Sequence, residues 1–171
     1  MNMVKEFTWS EEYSVGIDEI DEQHKALFTL INRLYHAMIH VNLNKKGSAV
    51  CGDILDELAD YTRIHFLLEQ TLMRIGGYPE YEAHCELHKN LVNEIDALQE
   101  KIASGKAAIS FELLQFLRNW LTKHILDEDM KYGMYFKKHG QSQKRNVNEW
   151  TKRSRDAISK HKKKSKWWKF W

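Results

Sequence analysis

The feature that most limits how this chain can fold is a helical apolar period, repeated over four long stretches with almost nothing to break it. The 171 residues contain one proline, Pro79, and eight glycines. From Asp18 onward, Ile20, Leu27, Leu30, Ile31, Leu34 and Met38 recur at helical spacing to about Val41. Asp18, with Asp21 three residues on, reads as an N-cap followed by a first-turn acid. A polar loop is expected over Asn42 to Gly47, with Ser48 capping a second helix through Ile54, Leu55, Leu58, Tyr61, Phe66, Leu68 and Leu72. Gly76-Gly77 stops it, and Pro79 suits the first turn of a third helix through Leu87, Leu91, Ile95 and Leu98 to Gly105. Ser110 caps a fourth, with Leu113, Leu114, Leu117, Trp120, Leu121 and Ile125, ending near Gly133. Helices of ~33–42 Å joined by short connections must run antiparallel. The expected fold is all-α: an up-down-up-down antiparallel four-helix bundle. Residues 1–17, with Phe7, Trp9 and Tyr13 but no period, are expected to form an N-terminal arm on the body.

Charge divides the chain in two. Residues 1–136 hold 13 Lys/Arg against 22 Asp/Glu, a net of −9, whereas residues 137–171 hold 13 against two, a net of +11. The expected organisation is therefore a bundle over 1–136 and a basic C-terminal extension over 137–171. Cys51 and Cys85 make no disulfide framework, which fits a reducing compartment. No basic segment followed by an apolar run opens the chain, and no apolar stretch approaches ~20 residues. A cytoplasmic location is expected.

Seven side chains fall on the four periodic stretches in a pattern that independent residues rarely show. His24 lies early in the first helix, His65 and Glu69 late in the second, His84 and His88 early in the third, and His124 and Asp129 late in the fourth. With alternating direction, early-late-early-late is one level at one end of a bundle. His65/Glu69 and His84/His88 are i,i+4 pairs, each sharing a helix face. His124 and Asp129 are five apart, which on an ideal α-helix separates them by ~140°. That pair is expected to approach a common site from its two flanks.

Imidazole and carboxylate together suit first-row transition metals. Seven donors exceed one tetrahedral zinc. They fit two cations with shared carboxylates and an oxo or hydroxo bridge, leaving a position for one small ligand. Leu27 and Phe28 follow His24 by three and four residues, Phe66 adjoins His65, and Trp120, Leu121 and Ile125 flank His124. These six are expected to line a dry pocket, in which a bound ligand is shielded from water.

Asp21-Glu22-Gln23-His24, His65-Phe66-x-x-Glu69, Tyr78-Pro79 before His84-x-x-x-His88, and Trp120-Leu121-x-x-His124-Ile125-x-x-x-Asp129-x-x-Tyr132 together resemble the bacterial hemerythrins, dioxygen-binding di-iron four-helix bundles. Trp9 and Val15-Gly16 resemble that family's arm, and the likeness spans about residues 7–136. The resemblance implies two iron ions (Fe2+/Fe3+) with an oxo or hydroxo bridge. One would take His84, His88 and His124, and the other His24 and His65 with a position open. Glu69 and Asp129 would bridge. It also implies reversible binding of dioxygen, as a carrier or store, rather than an enzyme. The Glu-x-x-His pairs of the di-iron carboxylate bundles are missing from the ligand histidines, and an imidazole-rich site favours carriage over oxidation. An oxygen or redox sensor, or a di-iron peroxidase or nitric-oxide-handling enzyme, are the alternatives.

Other residues carry less. His36 and His40 form an i,i+4 pair ~18–24 Å along the helix from His24 and are expected to stay out of the site. Glu128, beside Asp129, is read as a solvated acid. The tail ends in Lys162, Lys163, Lys164, Lys166, Trp167, Trp168, Lys169, Phe170 and Trp171. Tryptophan favours the membrane interface, and clustered lysines are drawn to anionic lipid heads by ~1 kcal/mol each. The tail is read as a reversible anchor on the inner membrane face, delivering dioxygen to a membrane oxidase or oxygenase. A nucleic-acid partner is the weaker reading of such basic and aromatic residues.

Overall fold

A computed structural model of the chain describes residues 6–40 and 45–139. After a single 3-10 turn at Glu11–Tyr13 come α1 (Asp18–His40), α2 (Lys45–Gly76), α3 (Tyr81–Ala103), α4 (Phe111–His124) and α5 (Met130–His139). A π-type turn, Ile125–Asp129, joins α4 to α5 without breaking the rod. No strand occurs among the described residues. α1 packs against α2 and α4, and α2 against α3, giving the expected four-rod bundle. Its interior is apolar along most of its length, with Ile20, Leu34, Leu72 and Met73 wholly buried.

Several boundaries differ from the sequence expectation, each for a local reason. α1 takes its first backbone bonds from Ile17, whose carbonyl accepts from Ile20 and Asp21, so Asp18 lies inside the helix instead of capping it. Asp21 also ties the arm down, its carboxylate accepting from Ser14 Oγ at 2.6 Å and from Val15 N at 2.8 Å. α2 begins at Lys45, three residues before the expected Ser48 cap. It closes on Gly77, whose φ of 64° lets Tyr78 N–H reach Met73 O at 2.9 Å. Pro79 lies in the turn before α3, not in its first turn, because Tyr78 is drawn into the core. Ser110 does cap α4, its hydroxyl accepting from Leu113 N. The fourth rod continues six residues past Gly133, to His139.

The arm is ordered by paired bonds and ring stacking. Phe7 N–H donates to Asn32 Oδ1 and Asn32 Nδ2 donates to Phe7 O, both at 2.9 Å. The Phe7 ring stacks on Phe28 with centroids 3.6 Å apart. Farther on, Val15 O lies where a Cβ at Gly133 would be. Gly133 is thus the gap through which the arm reaches α5. Gly133→Ala should lower stability by about 1–3 kcal/mol through overpacking against backbone, despite alanine's better helix propensity. A thermal melt that moves upward would refute that account.

The tail residues Lys162 to Trp171 fall outside the described residues, as do residues 42–44 of the expected loop, while its residues 45–47 belong to α2. Among the described residues no helix is long and apolar enough to cross a membrane.

Candidate metal centre

Because alternate rods run in opposite directions, the ligand-bearing turns of all four meet at one level. His24 from α1, His65 and Glu69 from α2, His84 and His88 from α3, and His124 and Asp129 from the fourth rod are all buried there. His65/Glu69 and His84/His88 use the i,i+4 face, as expected. The fourth rod departs from expectation. Its π-type turn carries a Met130 N–H to Ile125 O bond, five residues back. The wider turn brings His124 and Asp129 onto one face, with Nε2 to Oδ1 3.1 Å. They do not approach from two flanks, because the helix there is not an α-helix.

The donor atoms form two overlapping groups. Glu69, His84, His88, His124 and Asp129 bring one ligand atom each to within 4.8 Å of one another, as do His24, His65 and Glu69. His88 Nε2 lies 3.0 Å from His84 Nε2 and 2.9 Å from His124 Nε2. Two nitrogens bound at right angles to one cation, each ~2.1 Å away, stand ~3 Å apart. Asp129 has Oδ1 3.3 Å from His84 Nε2 and Oδ2 3.3 Å from His24 Nε2, so it faces both groups. Glu69 Oε2 is 3.5 Å from His65 Nε2 and 3.3 Å from His88 Nε2.

Does this donor set fit cations? Among the described residues, the buried side-chain atoms without a hydrogen-bond partner are Trp9 Nε1 and six atoms of this cluster: His24 Nδ1 and Nε2, His65 Nε2, Glu69 Oε2, and both Asp129 oxygens. Each such atom costs about 1–3 kcal/mol. Their concentration at one spot is what a site shaped for positive ions requires, and the mixed nitrogen and oxygen donors suit iron.

Charge within the cluster follows from burial. Burial pushes the His65 imidazole down to about 4. Burial, with His124 and His84 beside it, pushes His88 down to about 2. Both are neutral near pH 7, with a nitrogen lone pair free. For Asp129, burial alone would raise the carboxyl; the charge of His124 and the imidazole nitrogens of His124, His24 and His84 turned toward it hold it well below the usual range. His124 is raised in turn, Asp129 outweighing its burial.

The surrounding shell contains residues that spacing alone did not assign. Gln23 Oε1 meets His65 Nδ1 at 3.0 Å, and the Gln70 amide meets His88 Nδ1 at 3.2 Å. Such contacts fix ring orientation and turn Nε2 inward. The Tyr132 hydroxyl, wholly buried, donates to Glu69 Oε1 at 2.5 Å. The sequence held one clue: Gln23 and Tyr132 stand in the quoted motifs, one residue before His24 and three after Asp129.

Of the expected pocket, Leu27, Phe66, Trp120 and Leu121 line a cavity of about 30 Å³ one turn inward from the histidines. A water needs ~10–15 Å³ of such space, so the cavity suits a diatomic molecule. Phe66 also stacks on His88, and Trp120 on His124, at 3.6 and 4.4 Å between ring centroids. Phe28 and Ile125 are outside this cavity: Phe28 is held by Phe7, and Ile125 is packed in the core. Glu128 pairs with Lys131 at 2.8 Å, and its charge adds to those of Asp129 and Glu69 in raising His124. His36 is exposed and meets Glu6 at 2.8 Å, as its position along α1 requires.

Comparison with known proteins gives the same answer as the geometry. Residues 15–136 match the profile of the hemerythrin HHE cation binding domain. The chain is 34% identical to a bacteriohemerythrin of Stenotrophomonas maltophilia, covering 77% of this chain and 82% of that one. It is also 34% identical to a bacteriohemerythrin of Methylococcus capsulatus, covering 74% and 93%. A wild-type hemerythrin crystal structure superposes with a TM-score of 0.69 at 34% identity, covering 74% and 95%. The chain belongs to the hemerythrin family. Members of this family bind oxygen at a non-haem di-iron centre, and the cluster here suits two metal ions.

Proposed function

We propose that this chain binds dioxygen reversibly, as a carrier or store. The observation that carries the reading is an unequal division of imidazoles beside an apolar cavity. His84, His88 and His124 converge on one place, while His24 and His65 serve the other. Glu69 and Asp129 stand between the two places and would hold both cations, and the place with fewer imidazoles would have a position left for a small ligand. The chemistry that a bound di-iron pair supplies there is reversible electron donation to dioxygen. The protein's part is to hold, orient and dry. Gln23 and Gln70 fix their histidines, and Leu27, Phe66, Trp120 and Leu121 keep water from the ligand. The one hydroxyl lining the cavity, that of Thr62, is committed to Leu58 O at 2.8 Å, and no acid or base lines it. A cavity lined by no ionisable group favours release of the ligand unchanged over turnover.

The test is a visible spectrum of the reduced iron-loaded protein, recorded before dioxygen, with it, and after its removal. A charge-transfer band that appears and then disappears supports the proposal, whereas steady consumption of dioxygen points to an enzyme. His124→Ala should lower metal content or abolish the reversible band. His36→Ala, on the exposed side of α1, should leave both intact, and equal effects would refute this division of the histidines.

The same reading divides the chain into a working bundle over 1–136 and a basic tail over 137–171, with α5 running three residues beyond that boundary, to His139. The Lys/Trp-rich end, with Lys162 to Lys164 and Trp167 to Trp171, is chemically suited to the anionic inner face of a membrane. Held there in the cytoplasm, the bundle would supply dioxygen to a membrane oxidase or oxygenase. Full-length protein should pellet with anionic vesicles and a chain ending at Gly140 should not; equal pelleting removes the anchor from the proposal.

A further inference from the structure

Two carboxylates stand among the five histidines, and they are held differently. Asp129 is buried with neither oxygen hydrogen-bonded, and its two oxygens face opposite places. Glu69 is equally buried but has one oxygen taken. The Tyr132 hydroxyl donates to Oε1, which lies 3.8 Å from His24 Nε2, while Oε2 accepts no hydrogen bond and lies between His65 and His88. The places themselves are also unequal. One has three imidazoles and Asp129 Oδ1, with neighbouring atoms 2.9–3.3 Å apart. The other has only His24 and His65 and depends on carboxylate oxygens to complete its donors.

We propose that Tyr132 is a positioning residue that governs filling of the His24/His65 place, acting through the orientation of Glu69. This rests on the two-cation reading above. The three-histidine place would fill first: its three imidazoles and Asp129 make no hydrogen bond to Tyr132, and Glu69 is only one of its five donors. The second cation requires Glu69 Oε2 to be presented toward His65. A carboxylate released at Oε1 is free to turn about its terminal bond and withdraws that donor. Tyr132 is itself fixed, wholly buried and set edge-on to Tyr78 and His84, with ring centroids 6.3 and 5.7 Å away. Phenylalanine keeps those ring contacts and removes only the hydroxyl, so the three-histidine place stays intact. Ranked filling of this kind also gives the chain a defined half-loaded form.

Cobalt(II) titration of the metal-free full-length chain, followed by its visible spectrum without oxygen, tests the proposal. The unaltered chain should take up two equivalents. In Tyr132→Phe the first affinity should stay within twofold and the second should fall about 10–100-fold, the usual cost of losing an outer hydrogen-bond partner. Both affinities unchanged, or both reduced alike, overturns the proposal. A merely structural tyrosine would lower the melting temperature of the metal-free chain without changing the ratio of the two affinities. Adding Glu69→Gln to Tyr132→Phe should cost little beyond Glu69→Gln alone, since both act through one carboxylate; full additivity counts against it. Should Tyr132→Phe not fold, Glu69→Gln alone decides: selective loss of the second cation supports the proposal and equal loss at both overturns it. An unaltered chain that takes up fewer than two equivalents would instead overturn the two-cation reading itself.

Discussion

Removing iron from the loaded protein is expected to lower its melting temperature by about 8–16 °C. Glu69 and Asp129 are wholly buried, and three of their four oxygens have no hydrogen bond. The imidazole nitrogens around them stand 2.9–3.0 Å apart in the three-histidine group. Without cations, that arrangement leaves polar atoms unsatisfied in an apolar surround. With cations it becomes a cross-link among all four rods. A ligand that binds only the folded state at ~1,000 times its dissociation constant stabilises by about 4 kcal/mol. For a chain of this size each kcal/mol moves the midpoint by about 2–4 °C. Differential scanning calorimetry on loaded and chelator-treated protein measures the difference. Asp129→Ala should lose most of it, because Asp129 is the carboxylate facing both groups. Its metal-free form should not be weakened by the same amount, since the substitution also removes a poorly satisfied buried carboxylate. Loaded and stripped proteins melting together would mean that the seven residues form a structural polar core and no metal centre.

What the chain made legible, and what it hid, follow from the range of the interactions involved. Helical periodicity depends on local spacing, so the four rods and their order are legible from Ile20 to Ile125. The level of the site follows from the rods' alternation, and all seven cluster residues meet where that alternation puts them. Ends are less legible, because capping chemistry permits a boundary without requiring it. Ser48 is competent to cap, yet Cys51 is buried in the core and the helix already runs from Lys45. Pro79 is suited to a first turn, yet buried Tyr78 and the Gly77 closure delay α3 to Tyr81. The π-type turn is invisible to any reading that assumes ideal α-helical geometry. The five-residue step from His124 to Asp129 is its one sign, a spacing that misfits an α-helix because the backbone there is wound more widely. Tyr132 and the two glutamines are hidden because a side chain that supports a ligand has no fixed spacing from it; their contacts with Glu69, His65 and His88 exist only once the rods have packed.

Acid should unfold the metal-free protein from about pH 6.5 downward, well before ordinary carboxylates titrate. In the folded chain burial pushes His65 down to about 4 and, with neighbouring imidazoles, His88 down to about 2. In the unfolded chain both return to about 6.5. Between those values the unfolded state binds protons that the folded state refuses, so stability falls as pH falls. The contribution of His65 is fully present above pH 6.5 and is lost toward pH 4, roughly 3 kcal/mol over that span. His88 extends the loss to lower pH. The buried His124–Asp129 pair does not compensate: His124, raised by Asp129, favours the folded state only until pH rises through its own folded value, and Asp129, held low, loses its contribution as acid protonates it. Urea midpoints of metal-free protein at pH 7 and pH 4.5 measure the fall, and His65→Gln should make it shallower by removing one of the refused protons. The iron-loaded protein adds a second process, since protons and cations compete for the same nitrogens. Its acid transition should therefore coincide with release of iron, detected by a chelator in the same titration. A metal-free midpoint that is flat between pH 7 and 4.5 would show that the fold takes up as many protons as the unfolded chain, and that burial does not hold these two imidazoles neutral.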